Sequence, residues 1–217
     1  MVVQELQGLL EGIYDVPLAH DVAQFLLTDR SALPAELAGR NTDEQLLVAE
    51  EAGEMTLGLF LDPAVLARLA EANPLAALNG ANLADYWTAL EGVSHFVYLA
   101  WHAGHDRPVG LLELELQAEV DKYVCSVQLL RAQDPARFPA ELHRVLFETA
   151  RVEPTLAGDR AGLYRCANRY AARFCQYLGS LLRPLGEQAQ ARARRELRRF
   201  YRLSSAMKMR HIECLPC

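Results

Sequence analysis

The 217-residue sequence lacks the local motifs that identify common catalytic sites. It contains no Gly-x-x-x-x-Gly-Lys phosphate loop, no Gly-x-Gly-x-x-Gly fingerprint, no Gly-x-Ser-x-Gly elbow and no His-Glu-x-x-His motif. The usual nucleotide-dependent and hydrolytic enzyme classes therefore lose support, although residues that converge only in the fold would leave no such trace. We favour a protein that is not an enzyme, and the sequence identifies no cofactor.

The sequence also lacks a membrane-spanning segment, a secretory signal and a cysteine pattern typical of disulfide bonds. No apolar run approaches the roughly 20 residues that span a bilayer, and residues 1–12 have neither a basic start nor the apolar core of a secretory signal. The five cysteines are an odd number, and Cys166 and Cys175 are half a turn out of phase on one predicted helix. We therefore expect a cytoplasmic protein without a disulfide framework.

Charge is present but unevenly distributed along the chain. Residues 1–159 contain 9 Lys+Arg against 25 Asp+Glu, whereas residues 160–217 contain 13 against 3. The formal net charge of −6 thus conceals an acidic body and a basic C-terminal third. Such a split indicates that the basic part contacts the acidic part or an external acidic surface.

The apolar pattern predicts a mainly α protein in which proline marks most of the joints between helices. The apolar fraction of 51% excludes extended disorder, and the length suffices for one core with a small lobe. We expect an antiparallel bundle of about five helices over residues 81–217, joined to an N-terminal lobe over residues 1–80 in one compact unit. The predicted helices cover residues 82–105, 109–132, 139–151, 159–182 and 184–209.

The N-terminal lobe contains the clearest β pattern of the chain. Two apolar runs, at residues 45–48 and 55–61, flank a polar segment that includes Gly53, which predicts a β-hairpin over about residues 45–61. A helix starting at Pro63 and capped by Asp62 is a candidate to cover it. Before the hairpin we expect short helical pieces, of which residues 21–28 are the clearest.

Arginines in the C-terminal third form the first candidate functional surface. On the predicted helix 159–182 they recur at four-residue spacing, which places them in one stripe, and the last helix is basic and amphipathic. Our leading interpretation is a non-enzymatic helical adaptor protein that docks an acidic protein partner or its own acidic half on this surface; nucleic acid is an alternative partner. The simpler alternative is a solvated face on a helix that closes the bundle. The residues of this surface are Arg165, Arg169, Arg173, Arg192, Arg195, Arg199 and Arg202.

The second candidate site is a possible metal centre between the two longest predicted helices. His95 and Glu119 are each twelve residues from Arg107, the expected centre of the turn, so we expect them to face each other. Glu91 and Glu115 lie one turn earlier on the same helices. Carboxylates and imidazoles on facing helices build di-metal sites, so a metal-dependent helical-bundle enzyme is the alternative function. The Glu-x-x-His pattern of that class is missing here, which favours an ordinary hydrogen-bonded pair.

The third candidate site is the C-terminal tail. His211, Cys214 and Cys217 follow at three-residue spacing and would together supply three ligands to one Zn²⁺ ion, with a fourth needed from elsewhere. The Cys-Leu-Pro-Cys segment also resembles a redox dithiol, but it does not precede a helix, where such dithiols gain reactivity. A frayed terminus with two incidental cysteines is the simpler expectation.

Overall fold

The computed structural model describes residues 1–34, 37, 42–51, 53–148 and 159–216. It confirms a mainly helical protein, with 65% helix and a small three-stranded sheet. In the described residues the strands are β1 (Leu26–Leu27), β2 (Glu44–Glu51) and β3 (Glu54–Leu61), and the helices are α1 (Val2–Tyr14), α2 (Pro63–Glu71), α3 (Leu83–Ala103), α4 (Leu111–Gln133), α5 (Glu141–Phe147), α6 (Asp159–Leu182), α7 (Glu187–Tyr201) and α8 (Ser205–Glu213).

The predicted β-hairpin is present as β2 and β3. The strands pair antiparallel from Glu44 opposite Leu61 to Glu51 opposite Glu54, and Gly53 in the turn has a φ of 84°. Glycine adopts this left-handed conformation without steric cost. The side chain of Asp62, directly after β3, accepts a hydrogen bond of 2.9 Å from the Ala64 amide and so caps α2 as predicted.

The helical segment predicted for residues 21–28 is wrong. Asp21 caps only a short 3-10 turn, Val22–Phe25, after which Leu26 and Leu27 form β1 and pair in parallel with β3. An isolated helix of eight residues is marginal in water, whereas the edge of β3 offers hydrogen-bond partners to the same backbone. The sheet order is therefore β1-β3-β2.

The two long helices α3 and α4 closely match their predicted ranges. Helix α4 packs against α3 on one side and α6 on another, and the hairpin and α1 pack against α3. Their shared core is apolar and includes fully buried Leu59, Val93, Phe96 and Phe174. The hairpin and the α3–α4 pair are thus brought into contact.

The C-terminal part has more helices than predicted. The predicted helix 184–209 is divided into α7 and α8, because the chain is extended at Ser204 before α8 begins. This break turns α8 back onto the body, where Lys208 and Ile212 are fully buried. Helix α5 ends at Phe147, and residues 149–151 of its predicted range lie outside the described residues. No helix in the described part of the chain is both long and apolar enough to cross a membrane.

Candidate metal centre

A cluster of charged side chains lies where the hairpin meets α3 and α4. Each helix contributes residues at four-residue spacing, which places them on one helix face. Because α3 and α4 pack together, the two faces oppose each other, and the first residue of β2 approaches from the side. We call this group the acidic cluster; it comprises Glu44 from β2, Glu91 and His95 from α3, and Glu115, Glu119 and Lys122 from α4.

His95 lies at the centre of the cluster and is only 5% exposed. Its Nδ1 atom is 3.7 Å from Oε1 of Glu44, and its Nε2 atom is 3.7 Å from Oε2 of Glu115. Both Nε2 of His95 and Oε1 of Glu44 are buried and have no hydrogen-bond partner among the described residues. Buried polar atoms usually have a partner, so these two atoms make the cluster a candidate binding site.

Three side chains of the cluster are close enough to share a metal ion. One ligand atom from each of Glu91, His95 and Glu115 lies within 4.8 Å of the others. Ligand atoms about 2.0–2.2 Å from a tetrahedral ion are roughly 3.3–3.6 Å apart, so the three side chains would have to close by up to about 1.5 Å. Among the described residues this is the only such group of three or more His, Cys, Asp or Glu side chains.

Lys122 occupies the other end of the cluster. Its Nζ atom is 2.7 Å from Oε2 of Glu91 and 2.7 Å from Oε1 of Glu119. The expected pairing of His95 with Glu119 is therefore wrong, because Glu115, one turn earlier, faces the imidazole. Equal distances from the turn do not specify how each helix is rotated about its own axis. This rotation determines which residue of α4 faces His95.

The cluster contains four carboxylates but only two groups that can be cationic. Burial opposes charge on His95, but the carboxylates of Glu44 and Glu115 outweigh it and raise the pKa of His95 to about 9. Burial also raises the pKa of Glu115, to about 7, despite the nearby His95. For Glu91 burial acts in the same direction, but the Lys122 ammonium and His95 lower its pKa overall. Burial raises the pKa of Glu44 as well, so Glu44 and Glu115 hold protons more readily than ordinary carboxylates, and a bound cation would displace those protons.

Gly92 allows the hairpin to reach the cluster. A Cβ atom at this position would lie 2.7 Å from Cδ1 of Leu59 and 2.8 Å from Cγ of Glu44. Glycine inside a helix costs about 1 kcal/mol relative to alanine. Helix propensity is thus lower at a position where side chains of β2 and β3 lie against α3.

Sequence reasoning missed two members of the acidic cluster. Lys122 follows Glu119 by three residues on α4 and is one of only two lysines, so its spacing offered a usable signal. Glu44 offered none, because it is distant in sequence from both helices.

The C-terminal tail does not reproduce the arrangement of the acidic cluster. Nε2 of His211 is 2.6 Å from Oε1 of Glu196 on α7, and Cys214 is exposed at the end of α8. Cys217 lies outside the described residues. The imidazole of His211 thus already has a carboxylate partner.

Some arginines of the predicted basic surface bind the chain itself. Arg202 of α7 donates to the carbonyls of Tyr14 and Asp15 at 3.0 and 2.9 Å, and neighbouring Arg198 lies 3.3 Å from the Asp15 carboxylate. A cation at the C-terminal end of α1 is favoured by the helix dipole. Arg173 donates at 3.1 Å to two carbonyls at the C-terminal end of α8, those of Glu213 and Leu215. Helix α7 is therefore docked on the body.

The other predicted arginines face solvent. None of them forms an ion pair within the described ranges, and the guanidinium of Arg169 lies 5.6 Å from the centre of the Tyr170 ring. The exposed arginine face, as we name this group, consists of Arg165 and Arg169 on α6 and Arg192, Arg195 and Arg199 on α7.

Three comparisons place the chain against known proteins. No protein-family model, no curated protein and no solved structure matches it. The chemistry of the acidic cluster and of the exposed arginine face is therefore the basis for assigning a function.

Proposed function

We propose that this chain binds one divalent metal ion in the acidic cluster through Glu91, His95 and Glu115. The main support is Nε2 of His95, which is buried, lacks a hydrogen-bond partner among the described residues and faces Glu115. Because its pKa is about 9, His95 binds the ion by releasing its Nε2 proton, and the resulting neutral imidazole with two carboxylates is a common ligand set for Zn²⁺, Fe²⁺ and Mn²⁺.

The charge balance of the acidic cluster supports a cation at this end of it. Lys122 forms ion pairs with Glu91 and Glu119, whereas Glu44 and Glu115 have, among the described residues, only His95 within ion-pair distance, at 3.7 Å, and Lys122 acts on Glu44 from farther away. A buried carboxylate without a counter-charge costs several kcal/mol or binds a proton instead. A divalent ion between Glu115 and His95 would supply the missing positive charge.

The solvent side of the acidic cluster suggests how the ion would be used. The side chains of Glu91 and Glu119 are 27% and 20% exposed, whereas those of His95 and Glu115 are 6% and 7% exposed. An ion held by three ligands near this edge keeps a coordination position for water or substrate, as catalytic sites do. The proposal therefore favours the metal-dependent function over a purely structural ion.

Calorimetric titration of metal-free protein with Zn²⁺ and Mn²⁺ tests the proposal. We expect one equivalent to bind, and we expect Glu115→Gln and His95→Gln to weaken binding at least 100-fold. Glu119→Gln is the matched control, since it removes a carboxylate of the same cluster that binds Lys122, and we expect a change below tenfold. Wild-type protein that binds neither ion, or Glu115→Gln protein that binds as wild type does, would contradict the proposal.

The exposed arginine face supports a second candidate function, docking of an acidic protein segment. Its five guanidinium groups form no ion pair within the described part of the chain, and Arg192 and Arg195 line an open cleft with Ser180 and Gln188. Guanidinium groups bind carboxylates by paired hydrogen bonds. This is the adaptor function that the sequence favours.

Binding of a fluorescent polyglutamate peptide tests this second function. We expect the double variant Arg165→Glu/Arg169→Glu to lose at least tenfold in affinity, because it reverses two charges of the face. The control is Arg137→Glu, which alters an arginine already paired with Glu141 at 2.5 Å. Equal binding by both variants would exclude the face, and tighter binding of single-stranded DNA than of the peptide would indicate nucleic acid instead.

A further inference from the structure

The geometry points to Glu44 as the positioning residue that orients His95 for metal binding, so that the hairpin regulates the affinity of the acidic cluster. This inference depends on the proposed metal site. It assigns a role to a residue that lies outside the group of three ligands and comes from a different part of the chain.

The two nitrogens of the His95 ring face different carboxylates. Nδ1 is 3.7 Å from Glu44, and Nε2 is 3.7 Å from Glu115, the proposed ligand. A neutral imidazole carries one proton, and the nitrogen without it binds the metal. If the Nδ1–H group donates a hydrogen bond to Glu44, the ion displaces the proton of Nε2 and binds its lone pair, as in the carboxylate–histidine–metal arrangement.

Glu44 has no competing donor in the described structure. Its Oε1 atom is buried and has no hydrogen-bond partner among the described residues. The nearest ring nitrogen is Nδ1 of His95, 3.7 Å away. Closing the 3.7 Å separation to a hydrogen bond of about 2.9 Å requires a movement of less than one ångström. His95 could move toward Glu44 while Glu91 and Glu115 move toward Nε2 around a bound ion. Oε1 of Glu44 and Nε2 of His95 would then both have a partner.

The position of Glu44 is set by the hairpin. Glu44 is the first residue of β2 and pairs with Leu61, and the adjacent Asp62 amide donates to the Asp43 carbonyl at 2.9 Å. Through Gly92, both Glu44 and Leu59 of β3 lie against α3. A shift of the hairpin on α3 would therefore separate Glu44 from His95. Because binding equilibria are reciprocal, metal binding must in turn stabilise this position of the hairpin.

Zn²⁺ affinity of Glu44 variants tests this role. Removal of a carboxylate that orients a ligating histidine typically weakens metal binding 10- to 100-fold. We expect a loss of this size in Glu44→Ala with one equivalent still bound. We expect Glu44→Gln to recover part of the affinity, because its amide oxygen still accepts a hydrogen bond from Nδ1. The matched control is Glu50→Ala, an exposed residue of the same strand, which should bind as wild type does.

Two further measurements distinguish a positioning role of Glu44 from direct metal coordination and from a purely structural contact. The visible spectrum of the Co²⁺-loaded protein should be the same in Glu44→Ala and wild type, because the ligands are unchanged. Hydrogen exchange of the hairpin amides should slow on Zn²⁺ binding in wild type but not in Glu44→Ala. A changed Co²⁺ spectrum would make Glu44 a ligand and overturn the positioning role.

The affinities also distinguish failure of this inference from failure of the proposed function. If wild type binds Zn²⁺ and Glu44→Ala binds it equally well, the role of Glu44 is refuted while the metal site stands. If wild type binds no Zn²⁺, the metal site is refuted and the role of Glu44 with it.

Discussion

At the scale of single residues, Lys208 shows how the core accommodates an ionisable group. Its side chain on α8 is fully buried, and Nζ donates a 2.6 Å hydrogen bond to Oε1 of Gln117. Nζ lies 4.6 Å from the ring centres of both Tyr98 and Phe200, a favourable distance for a cation. Burial nevertheless lowers the pKa of Lys208 to about 7, although Glu113 and Asp121 act in the opposite direction.

This pKa predicts a stability that rises with pH. Between pH 7 and pH 10.5 the unfolded chain binds a proton at Lys208 that the folded chain largely lacks, so Lys208 contributes a rise of up to about 1.4 kcal/mol per pH unit to the free energy of unfolding. The raised pKa of His95 contributes a fall up to about pH 9, so the contribution of Lys208 is the difference between wild type and a variant without it. The stabilisation is complete above the unfolded pKa and is lost as the pH falls toward 7. Urea unfolding of wild type and Lys208→Met at pH 7, 8 and 9 measures it. The slope attributed to Lys208 should vanish in the variant, and parallel profiles would refute this assignment.

At the scale of secondary structure elements, the contact between the hairpin and α3 depends on the absence of a side chain at Gly92. Leu59, whose Cδ1 atom a Cβ atom would meet at 2.7 Å, is fully buried in the core. A methyl group there should therefore displace the side chains of Leu59 and Glu44 from α3. The same displacement would move Glu44 from His95.

A pair of glycine substitutions tests this close approach. Gly92→Ala should lower the free energy of unfolding by about 1–2 kcal/mol, because the steric conflict exceeds the gain in helix propensity. Gly8→Ala is the control on α1, where nothing lies within 4 Å of the added Cβ, and it should raise the same quantity by about 0.5–1 kcal/mol. Urea unfolding measures both. If Gly92→Ala stabilised the protein as Gly8→Ala does, the close approach would be disproved.

Elements defined by local patterns were predictable, and those that depend on distant partners were not. The apolar periodicity of α3 and α4 and the turn at Gly53 gave ranges close to those observed. Strand β1 was missed because its two residues pair with β3, more than thirty residues later in the chain. The break between α7 and α8 was missed because α8 is held by burial of Lys208 rather than by a local stop signal.

At the scale of the whole molecule, the acidic body and the basic C-terminal third are in contact. Arg198 and Arg202 of α7 join the end of α1, near Asp15, while the exposed arginine face is directed to solvent. Part of the basic C-terminal third is thus paired within the chain, and the rest is exposed to solvent. Sequence spacing indicated that Glu91, His95 and Glu115 belong near one another, but the contribution of Glu44 required the packing of the hairpin on α3.

The most direct test of the metal site is native mass spectrometry of untagged protein, purified without chelators and then supplied with one equivalent of Zn²⁺. We expect folded wild-type protein to retain a single ion and His95→Gln protein, folded to the same extent, to retain none. Folded wild-type protein without a bound ion, or an ion retained equally by His95→Gln protein, would contradict it.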